Sequence, residues 1–326
     1  MQTIKALRIH AFGGPEEIVL EELALDDPGA GEVRLAQTAI AVHFADTLLR
    51  AGAYFVKPSL PATLGLEAAG VIEALGPGVD GFSPGDRVAY PFLPGAAVTA
   101  RNVPADQLIR LPDSVDEKTS AAALLRGMTV QYLVRQSYRV GAGDVVLVHA
   151  AAGGVGTLLC QWARHLGATV IGTVGTPAKA AAAHAAGCQH VIDYSAEDFA
   201  VRCLQITGGE GVTVVYDSIG QATYEGNLAA LAPTGYFMNY GHSSGRLPPI
   251  DAMALNTKSI FFAKLSYRDY ARTPAAVAAM ADETLEMIGS GTVKVDITAA
   301  YPFAEAAQAH RDIAARKTTG SIVLVV

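Results

Sequence analysis

The chain has 326 residues, with 24 Lys and Arg against 31 Asp and Glu, a net charge of −7, and 51% hydrophobic residues. That length favours two domains over one, and the apolar content excludes a disordered chain. The acidic balance, without any run of basic residues, argues against nucleic acid as a partner.

The opening stretch up to Gly13 and Gly14 has no apolar run of the kind that begins a secretory leader, so the reading is a soluble, cytoplasmic protein. The first hundred residues read as β-rich. Val33, Leu35 and Thr38 to Ile40 lie in one strand-like stretch, and Val71-Ile72 and Arg87 to Tyr90 in two more, bounded by GPG and SPGD turn signals. Ser114 and Glu117 then have the spacing of a capping box, which predicts a helix starting near Val115 and running through the alanine-rich segment after Ser120.

From about Gly141 the pattern changes to alternating strand and helix. Val145 to Val148 is a continuous apolar run, as a parallel strand buried on both faces requires. Val145 to Ala163 carries no formal charge and approaches bilayer-spanning length, but His149, Thr157, Gln161 and three glycines make it strand, turn and helix. Ala151-Ala152-Gly153-Gly154-Val155-Gly156 follows the strand and opens a helix whose Val155, Leu158, Leu159, Trp162 and Leu166 share one face, with Gly167 as its stop. In that order a glycine turn is a dinucleotide site: small residues admit the pyrophosphate, and the helix N-terminus offers amides and positive dipole. Further strands are expected at Thr169 to Ile171, Val191-Ile192, Val212 to Tyr216, Tyr236 to Asn239 and Ile260 to Ala263. Six strands with helical crossovers make a doubly wound parallel sheet, hence an α/β protein.

The end of the second strand selects the dinucleotide. An NAD site places an acid there for the ribose 2′-hydroxyl, whereas this chain reads Gly172 to Lys179 as GTVGTPAK, with no acid. Small hydroxyl residues and Lys179 leave room and charge for a 2′-phosphate, so NADPH is expected. Cys160, Cys188 and Cys203 form no CxxC pair and read as reduced, buried thiols, not as a disulfide framework or a structural zinc site.

With HFADTLLRAGAY, LGLEAAGVIEALGPGV, GDRVAY, RGMTVQYL, HAAAGGVGTLLCQWARHLGA, VVYDSIG and TTGSIV, the chain resembles the quinone oxidoreductases of the medium-chain dehydrogenase/reductase superfamily, the group that includes zeta-crystallin. The resemblance implies a GroES-like β-rich catalytic domain over 1–122 and 266–326, a Rossmann domain over 123–265, a cleft active site and a homodimer. It implies cofactor contacts at His43, Thr129, Ala152, Gly153, Gly154, Val155, Gly156, Thr173, Lys179, Tyr194, Ser218, Tyr240, His242 and Arg316, and catalytic roles for His43 and Tyr54. Zinc-dependent relatives carry a His-Glu pair where this chain has Leu66-Glu67, so no metal is expected. His43 and His242 stand where relatives usually carry Asn. The expected activity is NADPH-dependent, zinc-independent quinone reduction. Its alternatives are an alkenal or enone double-bond reductase, and a nucleotide-binding crystallin or RNA-binding protein with little turnover.

Overall fold

The computed structural model describes every residue except Phe55. Contacts divide the chain into two units, one of Met1–Leu125, Ala281–Ser290 and Val295–Val326, the other of Arg126–Met280 and Gly291–Lys294. Residues 266–280, grouped by sequence with the first domain, cluster with the second unit, where Tyr270 stacks on Tyr132 with ring centroids 4.4 Å apart.

In the first unit the chain runs through β1 (Gln2–Ile9), β2 (Val19–Leu25), β3 (Glu32–Val42), α1 (Phe44–Arg50), β4 (Ala62–Thr63), β5 (Ala68–Leu75), β6 (Arg87–Tyr90), β7 (Ala100–Pro104) and β8 (Ile109–Arg110) into α2 (Glu117–Gln131). Strands β2-β1-β4 form a small sheet. The larger one is ordered β15-β16-β3-β5-β6-β8, with β7 also on β3, where β15 is Ile297–Pro302 and β16 is Ser321–Val325. The far end of β3 is buried on both faces, because β16 pairs antiparallel with it, Ile322 opposite Val42. Leu35, Ile40, Ile72 and Tyr90 sit in the core between the strands.

Helix α2 begins at Glu117, not Val115. Asp116 caps it, accepting from the Thr119 amide at 2.6 Å. The capping-box reading at Ser114 is therefore corrected: the Val115 amide bonds Pro112 O in a turn, and Ser114 Oγ packs against Gly289.

The second unit holds β9 (Val145–Val148), α3 (Gly154–His165), β10 (Thr169–Val174), α4 (Ala180–Ala185), β11 (His190–Asp193), α5 (Phe199–Ile206), β12 (Val212–Asp217), α6 (Tyr224–Ala230), β13 (Leu231–Asn239), α7 (Ala252–Asn256), β14 (Phe261–Lys264) and α8 (Tyr267–Tyr270). Its sheet is ordered β11-β10-β9-β12-β13-β14 and every pairing is parallel. In units of the sheet's own chain order this is 3-2-1-4-5-6, the doubly wound topology, with its switch point between β9 and β12. The remaining helices are α9 (Pro274–Gly289) and α10 (Ala306–Ala314). No helix among the described residues is long and apolar enough to cross a membrane.

Candidate functional site

Because all six strands of the second unit are parallel, their carboxyl ends lie along one edge of the sheet, where ligands of open α/β sheets bind. At the end of β9 the chain turns through Ala150, at φ 52, and enters α3 with Gly153 as N-cap. No side chain caps this helix, so the amides of its first turn are available to an anion, with the dipole in the same direction. A Cβ on Gly156 would stand 2.2 Å from Ala150 O and 2.9 Å from two more backbone atoms, so helix and turn meet too closely for any side chain. Gly153 is less confined, its Cβ position lying 3.2 Å from the same oxygen. Ala152 is buried beneath the turn, and Gly154 and Val155 are half-buried. This cradle fits a pyrophosphate.

Beneath it lies a network the sequence reading did not single out. His149 Nδ1 accepts from the Thr173 hydroxyl at 2.9 Å and Nε2 donates to Asn227 Oδ1 at 2.6 Å. Burial holds this histidine below its ordinary pKa, although Asp217 opposes that. It is therefore a neutral strut joining the ends of β9 and β10 to α6. Thr173 is fully buried, and its hydroxyl supports the turn from below through this bond.

At the end of β10, Gly175 admits Tyr194: a Cβ there would sit 2.3 Å from the Tyr194 hydroxyl. Tyr194 is 44% exposed and Lys179 half-buried, which presents an ammonium and a phenol beside strands that carry no acid at the β10 end. The acid at the end of β11, Asp193, turns back to accept from the Ser195 amide and hydroxyl at 3.0 and 2.7 Å. This end fits a 2′-phosphate.

At the ends of β12 and β13, the fully buried Asp217 organises the loops. It accepts from the Ile219 amide at 2.7 Å, the Thr223 hydroxyl at 3.1 Å and Asn239 Nδ2 at 2.9 Å. Ser218 hydrogen-bonds Tyr240, whose phenol burial nevertheless pushes well above its ordinary pKa. His242 is held below its ordinary pKa by partial burial and by the cations Lys264 and Arg246. Thr129 sits half-buried in α2.

In the first unit His43 is the N-cap of α1, and its amide donates to Asp46 at 2.6 Å in a capping box. Its Nε2 lies 2.9 Å from Glu67 Oε2, and Glu67 Oε1 accepts from the Leu125 amide at 2.6 Å. Glu67 is completely buried and His43 is 9% exposed. Sequence reasoning used Glu67 only to mark the missing zinc ligand; its role as the partner of His43 needed the pairing of β3 with β5. Tyr54 is half-buried just beyond α1, its amide bonded to Leu48 O. Arg316 is exposed after α10 at φ 56 and belongs to the first unit. Leu66 is buried, and among the described residues no three His, Cys, Asp or Glu side chains are grouped to hold a metal.

Comparison with known proteins gives the chain's relatives. Residues 29–137 match the family model "Alcohol dehydrogenase GroES-like domain" and 154–284 match "Zinc-binding dehydrogenase". The chain is 43% identical to a quinone oxidoreductase of Pseudomonas aeruginosa, over 98% of this chain and 99% of that one. It is also 43% identical to a 2-haloacrylate reductase of a Burkholderia species, over 99% of each. The crystal structure of Escherichia coli quinone oxidoreductase complexed with NADPH superimposes with a TM-score of 0.95 at 39% identity, covering 99% of this chain and all of that one.

Proposed function

The chain belongs to the quinone oxidoreductases of the medium-chain dehydrogenase/reductase superfamily, and from that premise we propose that it is an NADPH-dependent, zinc-independent reductase of quinones and related conjugated carbonyls. The observation that carries the reading is the uncapped glycine turn opening α3 beside a β10 end without an acid. NADPH, when bound, supplies the hydride. The protein's part is to bind, orient and exclude water. The amides of Gly154, Val155 and Gly156 hold the pyrophosphate; Lys179 and Tyr194 answer the 2′-phosphate; Arg316, Thr129, Ala152, Gly153, Ser218, Tyr240 and His242 are assigned to the remaining cofactor contacts. His43, oriented by Glu67, and Tyr54 are assigned to the acceptor. A reduced quinone can collect its proton from water, whereas an alkenal needs a donor, and the imidazole is suited to that.

The 43% identity with a 2-haloacrylate reductase supports a second reading within the same chemistry, reduction of a conjugated double bond. We further assign a homodimer, because β14 is the edge of the six-stranded sheet and Phe261 on it is 53% exposed. A cytoplasmic location accords with three free, buried cysteines. The test is NADPH oxidation with naphthoquinone, phenanthrenequinone and an alkenal. Turnover with a quinone supports the reading, faster turnover with the alkenal selects the second, and turnover with none refutes both.

A further inference from the structure

The strained point of the cofactor cradle is Ala150, which holds φ 52, a left-handed backbone that a residue with a side chain adopts only where its surroundings impose it. One residue holds both of its neighbours. Thr173 accepts from the Ala151 amide through its carbonyl at 3.0 Å and donates through its hydroxyl to His149 Nδ1 at 2.9 Å. The His149 amide donates to Tyr216 O at 3.1 Å. The bend is thus clasped on either side, and one limb of the clasp is the His149 ring.

That ring is fixed from α6. Its Nε2 donates to Asn227 Oδ1 at 2.6 Å, and Phe199 meets it edge-on with ring centroids 4.9 Å apart. Phe199 in turn lies against α6 at Gly226, where a Cβ would stand 2.3 Å from its ring. One helical turn before Asn227, Thr223 donates to the buried Asp217 at 3.1 Å, so α6 is itself tied to the end of β12. His149, Thr173 and Asn227 are all fully buried, yet Asn227 Nδ2 has no hydrogen-bond partner among the described residues. An unmet buried amide costs stability, so Asn227 serves the core poorly as packing. What it supplies is an acceptor that keeps the proton of His149 on Nε2 and leaves Nδ1 free for Thr173.

We infer that Asn227 is a positioning residue for the cofactor: by fixing the ring and tautomer of His149 from α6, it holds the bend at Ala150 and with it the amides that receive the pyrophosphate. Asn227 acts through His149 and needs no contact with the nucleotide. This rests on the NADPH reading of the cradle and adds to it a residue from a separate helix.

The test titrates NADPH and 2′-AMP, which keeps the 2′-phosphate and lacks the pyrophosphate, into the wild-type protein and its variants. Asn227→Leu, a change that nearly conserves size, is expected to weaken NADPH by about tenfold, the worth of one buried hydrogen bond, and to leave 2′-AMP unchanged. Thr173→Val should match it, and Thr173→Ser, which keeps the hydroxyl, should bind as wild type. Thr173→Val/Asn227→Leu should lose no more than either alone, because both act through one ring. In the nucleotide-free protein, hydrogen exchange at the Ala151 amide should quicken in Asn227→Leu. Wild-type NADPH affinity in Asn227→Leu, equal loss of NADPH and 2′-AMP, or unchanged exchange at Ala151 overturns the inference. A wild-type protein that bound no NADPH would count against the cofactor reading alone, and exchange at Ala151 would still decide whether Asn227 holds the bend. Should Asn227→Leu not fold, Thr173→Val against Thr173→Ser carries the same comparison.

Discussion

Replacing Gly156 by Ala isolates the physical basis of the cofactor cradle. The added Cβ would meet Ala150 O at 2.2 Å, Ala150 C at 2.9 Å and Ala151 Cα at 2.9 Å. All three are backbone, and Ala150 already holds a left-handed conformation at φ 52, so no side chain can swing away. Restoring van der Waals contact requires the start of α3 to retreat from the turn by about 1 Å. Such overpacking costs about 1–3 kcal/mol, partly offset by the better helix propensity of Ala, worth up to about 1 kcal/mol. For a unit of this size the melting transition should fall by roughly 2–8 °C. The displaced amides lose alignment with the pyrophosphate, and forfeiting one charge-assisted hydrogen bond of about 1.5–3 kcal/mol weakens NADPH by about 10- to 100-fold. Gly153→Ala is the control: its Cβ finds the same oxygen at 3.2 Å, and its φ of −86 suits any residue. Circular dichroism gives the melting point and nucleotide fluorescence the affinity. Wild-type melting and binding in Gly156→Ala, or an equal fall in melting point from Gly153→Ala, would refute the close-approach argument.

Four further outcomes are expected. NADPH should bind at least about tenfold tighter than NADH, a difference of about 1.4 kcal/mol, and Lys179→Ala should erase most of it in parallel fluorescence titrations. Activity should survive exhaustive chelation, with far less than one zinc per chain by elemental analysis, since Leu66 offers no ligand. Burial, seconded by Arg50, lowers His310 from 6.5 to about 3; the unfolded chain therefore binds the proton first, and the stability present above pH 6.5 is lost as pH falls towards 3, at up to about 1.4 kcal/mol per pH unit. Melting temperature against pH should show that slope and lose part of it in His310→Gln. His43→Asn cannot span the 2.9 Å contact with the buried Glu67, so it should lower the melting point and cut turnover with an alkenal more than with a quinone; the reverse order removes His43 from proton delivery.

The residues themselves determined the second unit. Parallel strands buried on both faces appear as short apolar runs such as Val145 to Val148, and β9 to β12 are each followed within a few residues by the next helix, so strand, turn and helix are adjacent in sequence. The glycine turn and the acid-free end of β10 are equally local, and with them came the class of cofactor. The N-terminal sheet was less legible. In β2 the burial of alternate residues is only partial, and Val19 and Leu20 face solvent, so the period of two is blurred and β1 and β2 escape notice. What only the tertiary structure decided are contacts between residues far apart in the chain. His43 meets Glu67 because β3 and β5 pair; His149 meets Asn227, 78 residues on, because β9 lies beside β12; Lys264 reaches Gly241 because β14 closes the sheet. A side chain's chemistry is written in its sequence position, but its partner is set by strand order, and strand order is a property of the whole sheet.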